Sequence, residues 1–288
     1  MTVYLNGKFL ALEDAKVSVL DRGFIFGDGV YELVPVYHRQ PYRLAQHLAR
    51  LQRSLDGIRL SNPHPAARWE AIIRELIARQ PFEDQGVYFQ VTRGVAERDH
   101  TFPADVSATV FMMSNPLATP PAEQLERGVA VVTAADERWL HCDWKTISLV
   151  GNVLARQLAA DHGAIETVMF RDGYLTEASA SNVLIVKQGT IIAPPKDNLI
   201  LPGITYDATW ELAHDARLPF ELRPVTKDEA LGADEMWLSS STKEVLAVTT
   251  LDGKPFAGGR PGPMFRRMHA LYQASKPKAR SAVSSADA

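Results

Sequence analysis

Apolar residues recur along this chain with two different periods. Leu44, Leu48, Leu51, Leu55 and Ile58 are spaced by four, three, four and three residues, which places them on one face of an α-helix. Gly57 weakens the last turn of that helix. Trp69, Ile72, Ile73, Leu76 and Ile77 mark a second amphipathic helix. Ahead of them, residues 3–10 form an apolar run interrupted by Asn6-Gly7, the strongest short hairpin signal. A glycine-rich turn, Gly27-Asp28-Gly29, leads into a strand over 30–37, and a second short strand is expected around 41–44. Strands near 87–92 and 108–113 complete a compact α+β unit.

Residues 115–121 hold three prolines in seven positions. Proline lacks an amide hydrogen and restricts its predecessor, so this segment is expected to be an extended linker between a small N-terminal α/β domain, 1–114, and a larger strand-rich domain, 122–274. In the second half short strands predominate, at 129–133, 166–170, 174–175, 183–186 and 190–193. Asp172-Gly173 and Gln188-Gly189 suit the tight turns between them. Helices are expected over 149–162, stopped by Gly163, and over 206–216. From 275 to 288 the chain is Ala, Ser and Lys with little apolar content and is expected to be a disordered tail. The fold class is therefore α+β with two domains.

Composition narrows the function. The 288 residues are 46% apolar and 23% charged, ordinary for a globular protein. The net charge, 31 − 34 = −3, gives no basic footprint for nucleic acid. One cysteine, Cys142, excludes an internal disulfide and makes a reducing cytoplasm the expected location. The longest uncharged stretch, 106–122, is broken by three prolines and cannot span a bilayer as a helix, so no membrane partner is expected.

Several polar residues stand where chemistry is possible. Lys145, beside Trp144 and Ile147, can be partly desolvated, which favours the neutral, nucleophilic amine of Schiff-base chemistry. A lysine snorkelling past a tryptophan at the surface is the plainer alternative. Glu177, amid small hydroxyl residues, can pair with a buried cation or be a solvated strand-end residue. Thr205 reads as the N-cap of the helix it precedes, where free amides and the dipole form an anion site. Ser239-Ser240-Ser241-Thr242 offers hydroxyls at a strand end. Arg50, one turn after His47, can reach round its helix to grip a phosphate. Arg98-Asp99-His100 lies in a loop expected to be mobile, either to hold a carboxylate or as surface charge. No G-x-S-x-G, C-x-x-C, H-E-x-x-H or Walker loop is present, and the eight histidines lack ligand spacing. Gly27-Asp28-Gly29 precedes a strand and is therefore no dinucleotide fingerprint.

In order and spacing, the segments that begin Asp21-Arg22-Gly23-Phe24 and run to Val30-Tyr31-Glu32, His47-Leu48-Ala49-Arg50-Leu51, Gln90-Val91-Thr92-Arg93-Gly94 with Arg98-x-His100, Arg138-Trp139-Leu140 leading to Asp143-Trp144-Lys145, Gly151-Asn152-Val153, Thr176-Glu177 to Ser181-Asn182, and Leu201-x-Gly203-Ile204-Thr205 carry one combined signal. Together they resemble the class IV, fold-type IV pyridoxal-phosphate aminotransferases, and among these most nearly the D-amino acid aminotransferases.

The resemblance implies pyridoxal 5'-phosphate as cofactor. It implies that Lys145 carries the cofactor as a Schiff base and shuttles the α-proton, and that Glu177 faces the pyridine nitrogen. Arg50, Ile204, Thr205 and Ser241 would cradle the phosphate, with Ser181 in support. Tyr31, Arg98 and His100 would hold the substrate α-carboxylate, the last two from the neighbouring subunit of a homodimer. Leu33, on the same strand face as Tyr31, would shape the side-chain pocket. Relatives often carry threonine in place of Ser241 and valine in place of Leu33. The implied reaction joins D-amino acids and 2-oxo acids. The same fold also hosts aminodeoxychorismate lyase, branched-chain and (R)-amine transaminases, and a non-catalytic binding homologue is the remaining alternative. The Arg-x-His pattern separates this chain from the branched-chain and amine enzymes, and intact Lys145 and Glu177 argue against the idle homologue.

Overall fold

The computed structural model describes residues 1–279. Its strands are β1 (Thr2–Leu5), β2 (Lys8–Ala11), β3 (Gly29–Tyr37), β4 (Gln40–Pro41), β5 (Gln85–Thr92), β6 (Thr109–Pro116), β7 (Val129–Ala135), β8 (Glu166–Arg171), β9 (Tyr174–Ala178), β10 (Asn182–Lys187), β11 (Thr190–Ala193), β12 (Phe220–Leu222), β13 (Glu235–Ser240), β14 (Glu244–Leu251) and β15 (Lys254–Pro255). Its helices are α1 (Arg22–Phe26), α2 (Leu44–Gly57), α3 (Ala66–Ala78), α4 (Ala122–Arg127), α5 (Val150–Asp161), α6 (Ile204–Asp215), α7 (Lys227–Leu231) and α8 (Pro263–Ser275).

The first six strands form one antiparallel sheet in the order β2-β1-β6-β5-β3-β4. Its buried face follows the period of two. Val30, Val34 and Val36 of β3, with Val87, Phe89 and Val91 of β5, pack against Leu51, Leu55, Ile72, Ile73 and Leu76 of α2 and α3. The alternate residues of β3, Tyr31 and Leu33, therefore point away from those helices.

The other nine strands form a second sheet, β12-β11-β10-β13-β14-β7-β8-β9, with β15 paired to β14. Here both faces are covered, as the unbroken apolar run of β10 requires. Val183 and Ile185 join one core; Leu184 and Val186 join another, which includes Trp237, Tyr206 of α6, and Phe265, Met268 and Tyr272 of α8. Tyr37 and Tyr42, from the first half, belong to this last core as well. None of the described helices is long and apolar enough to cross a membrane.

Three expectations are corrected. The second short strand ends at Pro41, because Arg43 takes a left-handed conformation and Leu44 already begins α2. Asn115 and Pro116 extend β6 rather than the linker. Proline is tolerated there because β1 pairs with β6 only at Phe111 and Met112, which leaves that edge free further on. The described part of the expected tail is anchored: Ser275 bonds the Tyr42 hydroxyl at 2.8 Å, Lys276 pairs with Glu244, and Gln40 donates to the Lys278 carbonyl at 2.9 Å. Residues 280–288 lie outside the described residues.

Gly57 links helix α2 to the loop behind it. A Cβ there would stand 2.5 Å from the Trp144 ring. That ring is stacked on His141 at 4.0 Å and cannot swing aside freely. Gly57→Ala is expected to destabilise the protein by about 1–3 kcal/mol through overpacking, although alanine is the better helix former. Urea unfolding checks this, and a midpoint equal to or above that of the parent would contradict it.

Candidate active site

Residues 145–147 run beside β3 like a short extra strand. The Tyr31 amide donates to the Lys145 carbonyl at 2.9 Å, and the Ile147 amide to the Gly29 carbonyl at 3.0 Å. The Lys145 amide donates to the Ser54 hydroxyl on α2 at 3.0 Å. This backbone clamp holds the half-buried Lys145 side chain with Nζ 4.0 Å from the centre of the Tyr31 ring. An ammonium is attracted to such a face, and a neutral amine there is shielded from water on one side.

Lys145 and Tyr31 line a cavity of about 640 Å³, together with Leu33, Arg50, Glu177 and Ser181. Ile204, Thr205 and Ser241 line it too, so nine of the eleven expected site residues converge there. Arg98 and His100 do not line it. They are exposed and flank Phe26, Arg98 with its guanidinium 5.4 Å from the ring centre and His100 with its ring 5.3 Å away.

Glu177 is buried, not a solvated strand end. Its Oε1 accepts from Arg138 Nη1 at 2.6 Å; its Oε2 accepts from Asn182 Nδ2 and from the Leu201 amide, both at 3.0 Å. Arg138 also binds Asp136, which takes Arg171 as well. Two carboxylates thus face two guanidiniums. Desolvation raises the Glu177 carboxyl to about 7 in spite of Arg138.

Arg50 is likewise no solvated arginine. Nε and Nη2 close on the two oxygens of Glu32 at 2.7 and 2.8 Å, and Nη1 donates to the Pro202 carbonyl at 3.0 Å. His47 Nδ1 meets the same Glu32 at 2.8 Å. The expected N-cap is corrected: Gly203 caps α6, and Thr205 is its second residue. Glycine is needed there, since a Cβ at 203 would lie 2.1 Å from Asn182 Oδ1. Ser181 donates to the buried carboxylate of Glu166 at 2.8 Å, and Lys243 pairs with the same group at 2.8 Å.

Sequence reasoning missed Glu32, Asp136, Arg138, Glu166 and Lys243 as site residues. Glu32 carried the one available signal, a charge on the buried face of an otherwise apolar strand.

The unused donors and acceptors fit a phosphorylated pyridine aldehyde. A guanidinium has five N–H donors and Arg50 has committed three, leaving two. The amides of Ile204 and Thr205 have no partner within helix α6 and sit at its positive end. Ser239 Oγ, fully buried at the cavity wall, has no partner at all. Glu177 uses three of about four acceptor positions, leaving one on Oε1 for a ring N–H. These residues fit the phosphate, and Lys145 supplies the amine.

Comparison with known proteins agrees. The model of the family Amino-transferase class IV matches residues 29–251. The chain is 38% identical to a D-alanine aminotransferase of Bacillus licheniformis over 96% of its length and 97% of that protein. It is 38% identical to one from Staphylococcus aureus (strain N315) over 94% and 96%. Among solved structures it resembles the Escherichia coli branched-chain amino acid aminotransferase, with TM-score 0.88, 25% identity, and 95% and 93% of the two chains covered. A T.th. branched-chain amino acid aminotransferase, solved with pyridoxamine 5'-phosphate, has TM-score 0.90 at 24% identity, covering 96% of each chain, a likeness of fold.

The raised Glu177 value has a consequence for stability. A carboxyl whose folded value lies above its ordinary 4.5 stabilises the fold fully below about that pH. This stabilisation is lost as pH rises through about 7. The unliganded protein is expected to lose stability over that window, and Glu177→Gln to remove that loss. Denaturant midpoints of both proteins at about pH 5 and about pH 8 test it; parallel pH slopes would contradict it.

Proposed function

The chain belongs to the class IV aminotransferases, and on that premise we propose that it transfers the amino group of a D-amino acid, such as D-alanine, to a 2-oxo acid, such as 2-oxoglutarate, giving pyruvate and D-glutamate. The observation that carries this reading is the convergence of Lys145, Glu177, Arg50 and Tyr31 on one cavity. Identity of 38% to D-alanine aminotransferases over nearly the whole chain supports D-amino acids over branched-chain substrates. The likeness to branched-chain enzymes is one of fold at lower identity.

When bound, pyridoxal 5'-phosphate supplies an aldehyde carbon open to amines and a protonated ring that accepts the electron pair left at Cα. Arg50, the amides of Ile204 and Thr205, and the hydroxyls of Thr205 and Ser241 hold the phosphate. Ser181, fixed by Glu166, supports that wall. Glu177 keeps a proton on the ring nitrogen through its free Oε1 position; a cation brought there also pulls the carboxyl back toward its ionised form. Lys145 Nζ would hold the cofactor through its aldehyde and would carry the proton removed from the substrate Cα to the cofactor side of the bond. Tyr31 orients the substrate carboxylate so that the Cα–H bond faces Lys145. Leu33 bounds the side-chain pocket. Release of the first oxo acid before entry of the second gives ping-pong kinetics.

The partner subunit's Arg98 and the partner subunit's His100 complete the carboxylate site in a homodimer. A patch of exposed apolar residues beside that loop supports this assembly. Val19 and Phe24 are 71% and 72% exposed, and Val17, Leu20, Val95 and Phe102 are exposed with them. On α5, Val150, Val153 and Leu154 present a second exposed apolar face at helical spacing. Each sheet with its helices is taken as one domain, the first ending with β6 at Pro116 and the second over 122–274. A cytoplasmic location accords with the single, buried, free Cys142.

D-alanine is expected to bleach the visible absorbance of the bound cofactor while L-alanine leaves it unchanged. Equal bleaching by both enantiomers would overturn the stereochemical assignment. Lys145→Ala is expected to lower kcat by more than about a hundredfold, the least that a positioned acid–base group contributes.

A further inference from the structure

The loop that carries Arg98 and His100 is tied to the first sheet by a buried arginine that no step above requires. Arg22 opens α1 and is 3% exposed. Its Nε donates to Asp28 Oδ2 at 2.8 Å. Its Nη1 donates to the Asp99 carbonyl at 2.6 Å and the Thr101 carbonyl at 3.3 Å. Asp99 is the residue between Arg98 and His100. The loop expected to be mobile is therefore gripped by its backbone at the point where both side chains emerge.

Arg93 shares the same anchor. It donates to Asp28 Oδ2 at 2.8 Å, and its guanidinium lies 3.8 Å from the centre of the Phe102 ring. Its terminal nitrogens donate to the carbonyls of Arg59 and Ile58 at 3.1 and 2.7 Å. Two buried guanidiniums thus meet a single carboxylate, leaving one positive charge in excess. Carbonyl oxygens absorb that excess, and two of the four involved belong to the loop. Detaching the loop would leave the buried Nη1 of Arg22 without acceptors, which is costly. Phe26, at the far end of α1, adds a surface shared by Arg22, Arg98 and His100.

We infer that Arg22 is a positioning residue for recognition of the substrate carboxylate: by holding the carbonyls of Asp99 and Thr101 it presents Arg98 and His100 together, and Asp28 orients Arg22 for that task. This rests on the assignment of Arg98 and His100 made under the proposed function. Two exposed side chains on an untethered loop would lose freedom each time they closed on a carboxylate; the tether removes that cost before substrate arrives.

The test uses the loaded enzyme with Arg22→Lys, which keeps a cation for Asp28 but loses the planar fork. The expected result is a KM for D-alanine about tenfold higher, the size of one charge-assisted contact, with kcat little changed. Cofactor affinity, read by absorbance titration, should be unmoved, and hydrogen exchange of the 97–102 amides should quicken. In an Arg98→Leu background the substitution should add almost nothing to KM, since both act on one contact. Should Arg22→Lys fail to fold, Asp28→Asn is expected to give the same split between KM and kcat. If Arg98→Leu raises KM while Arg22→Lys leaves KM and exchange unchanged, the inference is wrong and the carboxylate assignment stands. If Arg98→Leu leaves KM unchanged, the assignment itself fails and the inference with it. A parallel loss of kcat, cofactor affinity and thermal stability would mark Arg22 as structural only.

Discussion

Glu32 lies on the helix-facing side of β3 with no exposure to solvent, and Arg50 closes on it through two parallel N–H bonds. A lone carboxylate in that core would be among the most destabilising groups a fold can carry. Paired, it does the opposite of freezing Arg50 out of use. The fork fixes the guanidinium plane, and the remaining edge is turned to the cavity and to the Pro202 carbonyl. Pro202 precedes the glycine that caps α6. One buried ion pair therefore sets the arginine and the entry of the helix whose amides stand beside it, and it does so across the two sheets.

A second cluster of buried charge does the complementary work. Asp136 and Glu177 alternate with Arg138 and Arg171, so the cluster is neutral as it stands, yet one acceptor position on Glu177 remains open. Around Arg50 the surplus is of donors; around Glu177 it is of an acceptor. A ligand that is anionic at one point and a protonated heterocycle at another satisfies both, and a simple anion or a simple cation satisfies only one. This polarity of the cavity, more than its volume, limits what it can hold. Lys145 lies between the sheets, fixed by its own backbone to β3 and α2, so its amine is placed by main-chain bonds rather than by a charge partner.

What the sequence revealed was local, and what it concealed was pairing at a distance. The Asn6-Gly7 hairpin and the α2 and α3 faces were readable because each signal fits within a few residues of chain. α1 was not, because five residues carry less than two helical turns of pattern. In α8, Phe265, Met268 and Tyr272 are spaced by three and four, a face that sequence reasoning missed. Among site residues, Lys145 and Glu177 were ambiguous on composition alone, because burial decided their character and burial is a property of the folded whole. Glu177 became a candidate for a buried pair only when the fold brought up Arg138, 39 positions away. Thr205 was misplaced by two residues because a capping hydroxyl is a stronger sequence signal than a glycine whose use is to make room for Asn182.

The exposed positions of Arg98 and His100 now have a physical meaning beside Tyr31. All three derive from the first sheet and its loops, yet Tyr31 faces the cavity of its own chain while the other two face outward. Folding this loop back over the cavity of its own chain would take the Asp99 and Thr101 carbonyls from Arg22 and the Phe102 ring from Arg93, leaving the buried Nη1 of Arg22 without acceptors. In the homodimer proposed above, the loop serves the neighbouring subunit. On the proposed reading, the Asp28 cluster links assembly to substrate choice: the same bonds that shape the apolar contact surface near Phe24 and Val95 also aim the cations at the carboxylate. A change that loosens the cluster would weaken carboxylate recognition before it disturbed the cofactor pocket, because Arg50, Glu177 and Lys145 draw their support from other partners.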